Sequence, residues 1–372
     1  MTRRVLIAGG GTGGHLMPAL SIAAALAESS DLEPVLVGAV RGVEARLLPT
    51  RPFRYHLLPA EPIYRRTWWK NVRWPFVAAS LLRQVRAVFD EERPVAVLGT
   101  GGYASAPVVW WASRLGIPTA IQEQNAYPGL ANRWLVRVVD EVYLGVPEAA
   151  AFLKPGAKTR LRETGNPIVP PTPERSAAAR ARFGFGFGEG RKVVLVTGGS
   201  QGALALNLAV EAWLTAGWPE DTDLLWVTGP GTHERFARHH RPPHVHVIPF
   251  LDPMADGYAV ADLVVSRAGM ITVAELCAWG LPSVLIPLPT AAADHQTSNA
   301  RTMAAAGAAV LLRQAELDLV RLQAEVGRLL TDGAARRRMA ASARERGRPL
   351  AAREIAGHLA ALIHRGTLSP VA

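Results

Sequence analysis

Two glycine-rich turns stand out for what their backbones could hold. Gly9-Gly-Gly-Thr-Gly-Gly14 contains the spacing GxGxxG at Gly9, Gly11 and Gly14, and His15 follows at once. Gly198-Gly-Ser-Gln-Gly202 repeats the theme in the second half of the chain. Each turn follows a short apolar run and precedes a helix-like stretch. Such a turn can aim backbone N–H groups at a phosphate or sugar-phosphate at a helix N-terminus. It can also be only a turn that needs positive φ and close packing. A dinucleotide site is a third use, but it wants an acid at the end of the second strand. That strand ends Val35-Leu-Val-Gly38, and the next acid, Glu44, comes several residues late. His15, at a helix start, could act as a general base or simply bond the backbone; its position alone does not separate the two.

Two further polar groups follow strand-like runs, and a third precedes one. Ser266-Arg-Ala-Gly-Met-Ile-Thr-Val-Ala-Glu275 places Glu275 on the first turns of a helix. A carboxylate there can accept two hydroxyls of a ribose diol, or it can serve the helix macrodipole alone. Asp294-His295-Gln296 follows the run Val284–Ile286, on the side where parallel sheets meet ligands. Substrate contact and plain polar loop both fit it. Asp221-Thr-Asp223 resembles a metal-chelating pair but precedes a strand, so it reads as a solvated turn.

These groups need a frame to position them. Val5–Ala8, Pro34–Val37, Val95–Leu98, Thr119–Ile121 and Glu141–Leu144 are apolar runs suited to strands buried on both faces. Helical segments such as Leu20–Ala27 and Trp74–Phe89 lie between them, which predicts an α/β domain. Gly165–Pro173 holds four prolines in nine residues and reads as a linker. A helix over Arg175–Phe183 follows. Strands are then expected at Val193–Thr197, Leu224–Val227, Val245–Ile248, Leu263–Val265 and Val284–Ile286, with helices from Leu317 to about Ile363. The chain thus divides into an N-terminal domain, 1–163, and a C-terminal domain, 164–348, with residues 349–372 able to return to the first. A length of 372 residues suits two domains. The 49% hydrophobic content excludes a globally disordered chain. Cys277 is the only cysteine, which excludes an intrachain disulfide or a multi-cysteine zinc site and fits a reducing cytoplasm.

The formal net charge is +10, and it is unevenly placed. Residues 1–163 hold 20 basic and 13 acidic residues, a net +7. The window 51–86 alone has eight basic residues against Glu61, again +7. Tyr64, Arg65, Arg66, Trp68, Trp69, Lys70, Arg73 and Trp74 interleave aromatic and basic side chains. That pattern suits an anionic bilayer surface better than single-stranded nucleic acid. The apolar run at the N-terminus is too short for a signal peptide. The weakly charged stretch 269–293 is broken by Gly280, Pro282, Pro287 and Pro289. A soluble or peripheral protein is expected.

Taken together, GGGTGGH (9–15), GTGGYASAP (99–107), QEQNAYPGLANRW (122–134), GNP (165–167), GGSQGALALN (198–207), SRAGMITVAE (266–275) and DHQTSNA (294–300) resemble the MurG family. Its members are UDP-N-acetylglucosamine–N-acetylmuramyl-(pentapeptide) pyrophosphoryl-undecaprenol N-acetylglucosaminyltransferases. The resemblance implies the GT-B fold, two Rossmann-like domains with parallel sheets facing across a cleft, and no cofactor or essential metal. It implies an inverting transfer of N-acetylglucosamine from UDP-GlcNAc to the C4 hydroxyl of a lipid-linked muramyl-pentapeptide. Peripheral attachment to the cytoplasmic face of the inner membrane is expected, with other cell-wall synthesis proteins as possible partners and no nucleic acid.

Residue roles follow from the same resemblance. Ser200, Gln201 and Gly202 would meet the diphosphate and Glu275 the ribose. Leu251 would offer a backbone contact to uracil, and Met270, Ile271, Thr272, Val273 and Ala274 would form the turn around the nucleotide. Gln296, His295 and Asn299 would lie at the sugar. Thr12, Gly13, Gly14, His15 and Asn125 would face the acceptor, with His15 as general base and Tyr103 and Glu123 as further candidates for a catalytic role. One departure stands out. The family's linker arginine is replaced by Val169, and Arg267 is a nearby alternative in sequence terms. Two competing readings are a transferase of the same fold with another acceptor and a nucleotide-dependent oxidoreductase.

Overall fold

The computed structural model describes residues 3–11, 13–61, 74–172, 174–185 and 190–368. The chain forms two compact units, Met1–Ile168 with Leu350–Ala372, and Val169–Pro349. Thr164–Ile168 therefore pack with the first unit.

The first unit holds a seven-stranded sheet in the order β3-β2-β1-β4-β5-β6-β7. Its strands are β1 (Arg3–Gly9), β2 (Leu32–Ala39), β3 (Arg54–Leu58), β4 (Ala96–Gly101), β5 (Thr119–Glu123), β6 (Glu141–Leu144) and β7 (Arg160–Glu163), and every pairing is parallel. Its helices are α1 (Gly13–Ser29), α2 (Glu44–Leu47), α3 (Trp74–Glu92), α4 (Ser105–Arg114) and α5 (Leu130–Leu135). Side chains alternate along β1, so both faces need cover. Leu6 and Ala8 enter a core with Val85, Val88, Val108 and Leu135 from α3, α4 and α5. Val5 and Ile7 enter the opposite core with Leu16, Ile22 and Leu26 of α1. That second core is completed by Ile355, Leu359 and Ile363 from the C-terminal helix.

The second unit holds α6 (Arg175–Phe183), β8 (Lys192–Thr197), α7 (Leu204–Gly217), β9 (Thr222–Val227), α8 (His233–Phe236), β10 (Val245–Ile248) and α9 (Met254–Val260). It continues with β11 (Leu263–Ser266), α10 (Met270–Trp279), β12 (Ser283–Leu285), α11 (His295–Ala305), β13 (Val310–Leu311), α12 (Leu319–Thr331) and α13 (Gly333–Arg346). The last helix, α14 (Ala351–Leu368), belongs to the first unit. The second sheet runs β10-β9-β8-β11-β12-β13 and is again parallel. Val194, Val196, Leu224 and Trp226 pack on α7 and α12 through Leu206, Val210, Leu322 and Val326.

Both sheets are doubly wound, so the expected α/β class with two Rossmann-like domains is what the chain adopts. The expected strands coincide with β1, β2, β4, β5, β6 and β8 to β12, with Val95 just ahead of β4 and Ile286 just past β12. Three strands lacked a sequence signal. β3 reads Arg-Tyr-His-Leu-Leu and β7 reads Arg-Leu-Arg-Glu. Both are edge strands, exposed enough to carry polar residues where a buried strand could not. β13 has only two residues.

The return of α14 has its own anchor. Glu141 at the start of β6 is buried and accepts from Arg162 (2.8 Å), Arg365 of α14 (2.6 Å) and the Tyr143 hydroxyl (3.0 Å). His358 of α14 stacks on Tyr143 at 6.0 Å. Burial and the Glu141 charge push the Tyr143 hydroxyl well above the usual tyrosine value, so it remains a donor.

Candidate functional site

In a doubly wound sheet, the crevice for ligands opens where the strand order reverses, outside the carboxyl ends of the strands. That point lies between β1 and β4 in the first unit and between β8 and β11 in the second. The motif residues gather at both. The turns after β1 and β4 carry His15 and Tyr103. Those after β8 and β11 carry Ser200 and the start of α10, which leads to Glu275.

In the first unit, glycines bring the two turns together. A side chain at Gly102 would collide with the Gly10 carbonyl, so the backbones touch there. A Cβ on Gly101, whose φ is +101°, would lie 2.6 Å from His15 Nδ1. The imidazole therefore rests on bare backbone. Tyr103 lies in the same way over Gly11, where a Cβ would be 2.7 Å from Cε1. The Thr100 hydroxyl donates to the His15 carbonyl at 2.9 Å and ties β4 to the first turn of α1.

Glu123 has a different place from the one its sequence position implied. It is buried, and its oxygens accept from the Asn125 backbone (2.9 Å), Gly129 N–H (3.0 Å) and the Asn132 amide (2.9 Å). The Asn125 side chain adds a bond at 3.3 Å. A carboxylate so engaged shapes the loop between β5 and α5 and positions Asn125; it does not offer a lone pair to a reacting hydroxyl. Gln122, Gln124 and Asn166 brace the same loop, with Gln122 donating to Asn166 at 2.9 Å and Asn166 to the Gln124 carbonyl at 3.0 Å.

Glu44 comes too late in the sequence to serve a dinucleotide ribose, yet it reaches the first glycine loop. It is fully buried, and it accepts the Gly11 N–H at 2.9 Å. The dinucleotide reading fails on that geometry, because an internal carboxylate already occupies an amide of the loop. The first turn of α1 begins at Gly13, where the N–H groups of a helix start carry partial positive charge. The sequence signal for this was the spacing Gly38-x3-Gly42-x-Glu44.

In the second unit, Ser200 and Gln201 are exposed, and α7 starts without a side-chain cap. Gly202, at φ +75°, runs so close to Thr228 that a side chain would collide with that carbonyl. The turn presents the N-terminus of α7, a site of partial positive charge. On the neighbouring strand end, Gly269 leads into α10, also without a side-chain cap. Ile271, Thr272 and Ala274 are partly exposed, whereas Met270 and Val273 are buried. The Val273 N–H is spent on the Gly269 carbonyl. Met270 can therefore meet a ligand only through its backbone. The same holds for Leu251, whose side chain is buried.

Glu275 accepts one hydrogen bond from Tyr258, at 2.8 Å. Burial raises its carboxyl from the usual range to about 7, and the Tyr258 bond only partly offsets this. Asn299 is buried and donates to the Ala268 carbonyl at 3.1 Å, holding the turn before α10. Gln296 accepts from the Leu288 N–H at 2.9 Å and His295 bonds the Ala292 carbonyl at 2.7 Å, so both are fixed at the start of α11. The chain enters that helix through Ala293 (φ 52°) and Asp294 (φ 53°), a left-handed pair without glycine. Each such residue carries strain of roughly 1–2 kcal/mol, as functional loops often do.

Arg267 does not supply the missing linker arginine. Its guanidinium donates to the Ile286 and Pro287 carbonyls (3.1 Å each) and to Gln314 (2.7 Å). It braces the strand ends instead. Val169 is 65% exposed.

Other expectations are settled by position. Asp223 is not in a solvated turn; it is buried in β9 and pairs with Arg191 (2.7 Å) and His244 (2.9 Å). His56, Glu91 and Glu92 lie close enough to share an ion. Arg54 donates to Glu92 at 2.6 Å and Arg4 lies 3.2 Å from it, which fills that cluster with positive charge. Thr12 and the membrane candidates Tyr64, Arg65, Arg66, Trp68, Trp69, Lys70 and Arg73 lie outside the described residues. Trp74 opens α3, and Phe76 after it is 81% exposed. Among the described residues, no helix is long and apolar enough to cross a membrane.

Comparison with known proteins gives a consistent picture. Residues 5–144 match the glycosyltransferase family 28 N-terminal domain, and residues 193–355 match its C-terminal domain. A protein of Carboxydothermus hydrogenoformans is 40% identical over 97% of this chain and 98% of its own length. One from Salinibacter ruber is 40% identical over 97% of both. Each is named UDP-N-acetylglucosamine–N-acetylmuramyl-(pentapeptide) pyrophosphoryl-undecaprenol N-acetylglucosamine transferase. Among solved structures, Acinetobacter baumannii MurG superposes with a TM-score of 0.76 at 27% identity, covering 96% of this chain and 99% of that one. The UDP-bound MnaA of S. aureus shares the fold at a TM-score of 0.71 and 16% identity, over 99% of both chains.

Proposed function

The chain belongs to glycosyltransferase family 28 and, within it, to the MurG family, and on that premise we propose that it moves N-acetylglucosamine from UDP-GlcNAc to the C4 hydroxyl of a lipid-linked muramyl-pentapeptide. UDP leaves, the anomeric configuration inverts, and the product is a peptidoglycan precursor. The observation that carries this reading lies at the strand-order reversal of the second unit. There a helix N-terminus without a side-chain cap follows Ser200–Gly202, and Glu275, whose one hydrogen-bond donor among the described residues is Tyr258, follows the adjacent strand. A nucleoside diphosphate supplies what each lacks, an anion for the first and a diol for the second.

Inversion needs one in-line attack, one base and a stabilised leaving group. His15 is the base in this reading, held by the bare backbone of Gly101. It takes the proton from the acceptor hydroxyl as the glycosidic bond to UDP breaks. The leaving diphosphate gains its charge beside the N–H groups of α7, which are already oriented. Gln296 and His295 would meet the sugar, and Asn125, Gly13 and Gly14 the acceptor. The lipid on the acceptor calls for peripheral docking on the cytoplasmic face of the membrane through the basic, aromatic segment 64–74. Flotation with anionic vesicles should drop when Arg65, Arg66, Trp68 and Trp69 are replaced by alanine.

The test of the reaction is UDP release from UDP-GlcNAc with a lipid-linked muramyl-pentapeptide and no added metal. Release that depends on the acceptor is expected. Absence of release, or release indifferent to the acceptor, would overturn the reading.

A further inference from the structure

Glu44 is the most thoroughly enclosed acid in the first unit. It is 0% exposed. Among the described residues its two donors are both backbone amides, one just past the end of β1 and one at the end of β2. Oε1 accepts from Gly11 and from Ala39, each at 2.9 Å, and Oε2 shares the Gly11 N–H at 2.9 Å. Among the described residues its hydrogen-bond partners are these backbone amides and no basic side chain. Burying a carboxylate without a cation is tolerated only when fixed dipoles replace water around it. Here the chain has cleared that space on purpose. A side chain at Gly10, Gly38 or Gly42 would collide with Glu44 in each case.

The carboxylate therefore sits where a glycine-rich loop would otherwise hold a foreign anion. We propose that Glu44 is an internal anion that fixes the first glycine loop in its working shape and so positions His15 and Tyr103 for the transfer. The connection is short. Glu44 holds Gly11, Tyr103 packs on Gly11, and Gly10 rests against Gly102, next to the glycine that seats His15. The loop is consequently formed before any acceptor arrives. A phosphate at Gly11 would meet a like charge, which directs an anionic acceptor toward the first-turn amides of α1 instead. This inference rests on the transferase reading above.

Glu44→Gln tests it at nearly constant volume. With the amide oxygen at the Oε1 place both N–H groups keep an acceptor, but the new NH2 group is turned against the Gly11 N–H; in the flipped orientation the Ala39 N–H loses its acceptor. The expected result is a fall in kcat of tenfold or more, with KM for UDP-GlcNAc and UDP affinity within twofold of the parent, because those groups lie on the second unit. Amide exchange over residues 9–15 should speed up while the rest of the unit keeps its protection. Parental kcat in the variant would overturn the proposal. So would a loss of activity matched by equal losses of UDP binding and of protection throughout, since that marks a purely structural acid. If the variant does not fold, exchange in the parent protein decides. Gly11 and Ala39 amides should be slow despite lying at strand ends, and fast exchange at Gly11 refutes the bond. Failure of the parent to transfer sugar would instead refute the transferase reading.

Discussion

The two units carry the same device, a glycine turn between the first strand of a doubly wound sheet and the helix that follows it, and use it in opposite ways. In the first, Glu44 enters the turn and takes the Gly11 amide. In the second, no comparable acid is bonded to the Ser200 turn among the described residues, and α7 begins uncapped. The charged residue thus differs more than the glycines do. One loop holds an internal acid and packs against His15 and Tyr103. The other is open, suited to receiving a phosphate. A motif written only in glycine cannot tell these apart.

If that division is right, the largest effect should come from the filled side without touching the open one. His15→Ala should lower kcat by roughly 10²–10⁴-fold, the range of a lost general base. UDP affinity should stay within about twofold by titration calorimetry, since the nucleotide in this reading is held by groups of the second unit. A variant that loses UDP binding would collapse the distinction between the loops. The next effect comes from making the open loop resemble the filled one. Ser200→Glu places a carboxylate at the mouth of α7, where it competes for the same amides and repels the diphosphate. UDP affinity should fall by about 10–100-fold, equivalent to roughly 1.4–2.7 kcal/mol. An unchanged dissociation constant would mean that the diphosphate lies elsewhere.

Much of this frame was legible in the sequence, because buried parallel strands must be apolar on both faces and so announce themselves. Val5–Ala8 and Val193–Thr197 did so. Edge strands such as β7 bury little and left no such trace. The site was legible where the backbone itself is the binding group, as at Ser200–Gly202. It was least legible where a side chain acts through distant partners. Glu44 lies 33 residues from Gly11, and only the fold of β1 beside β2 brings them together. Glu123 misled for the same reason: its donors come from a loop and from Asn132, nine residues on, whose helical phase the sequence did not fix. The buried side chains of Asn299 and Val273 show how much depends on that phase.

The carboxylates sharpen the comparison further. Glu44 and Glu123 are each satisfied by several N–H groups, whereas Glu275 has the Tyr258 hydroxyl. Glu275→Ala should weaken UDP binding by about tenfold, near the 1.5 kcal/mol of a hydrogen bond to a charged group. kcat at saturating donor should change less than it does for His15→Ala. A variant with full UDP affinity would remove Glu275 from the ribose.

The smallest effect is a shift along the pH axis, and it follows from the same shortage of donors. In the free protein the Glu275 carboxyl titrates at about 7, raised from 4.5 chiefly by burial. An acid raised on folding favours the folded state below its unfolded value, and that advantage is lost as pH climbs through 7. Two ribose hydroxyls would instead favour the ionised form. UDP affinity should therefore rise between pH 6 and 8, with a proton released on binding near neutrality. Tyr258 stays a donor over this range, since its own hydroxyl is pushed well above 10 by burial. Tyr258→Phe removes the one bond that lowers the Glu275 value, so the affinity profile should move to higher pH. The loss should be a few-fold at pH 7 and should narrow toward pH 8.5. A uniform loss at every pH would show that Tyr258 shapes the pocket wall and leaves the carboxylate alone; the open loop would then bind its nucleotide without help from a tuned acid.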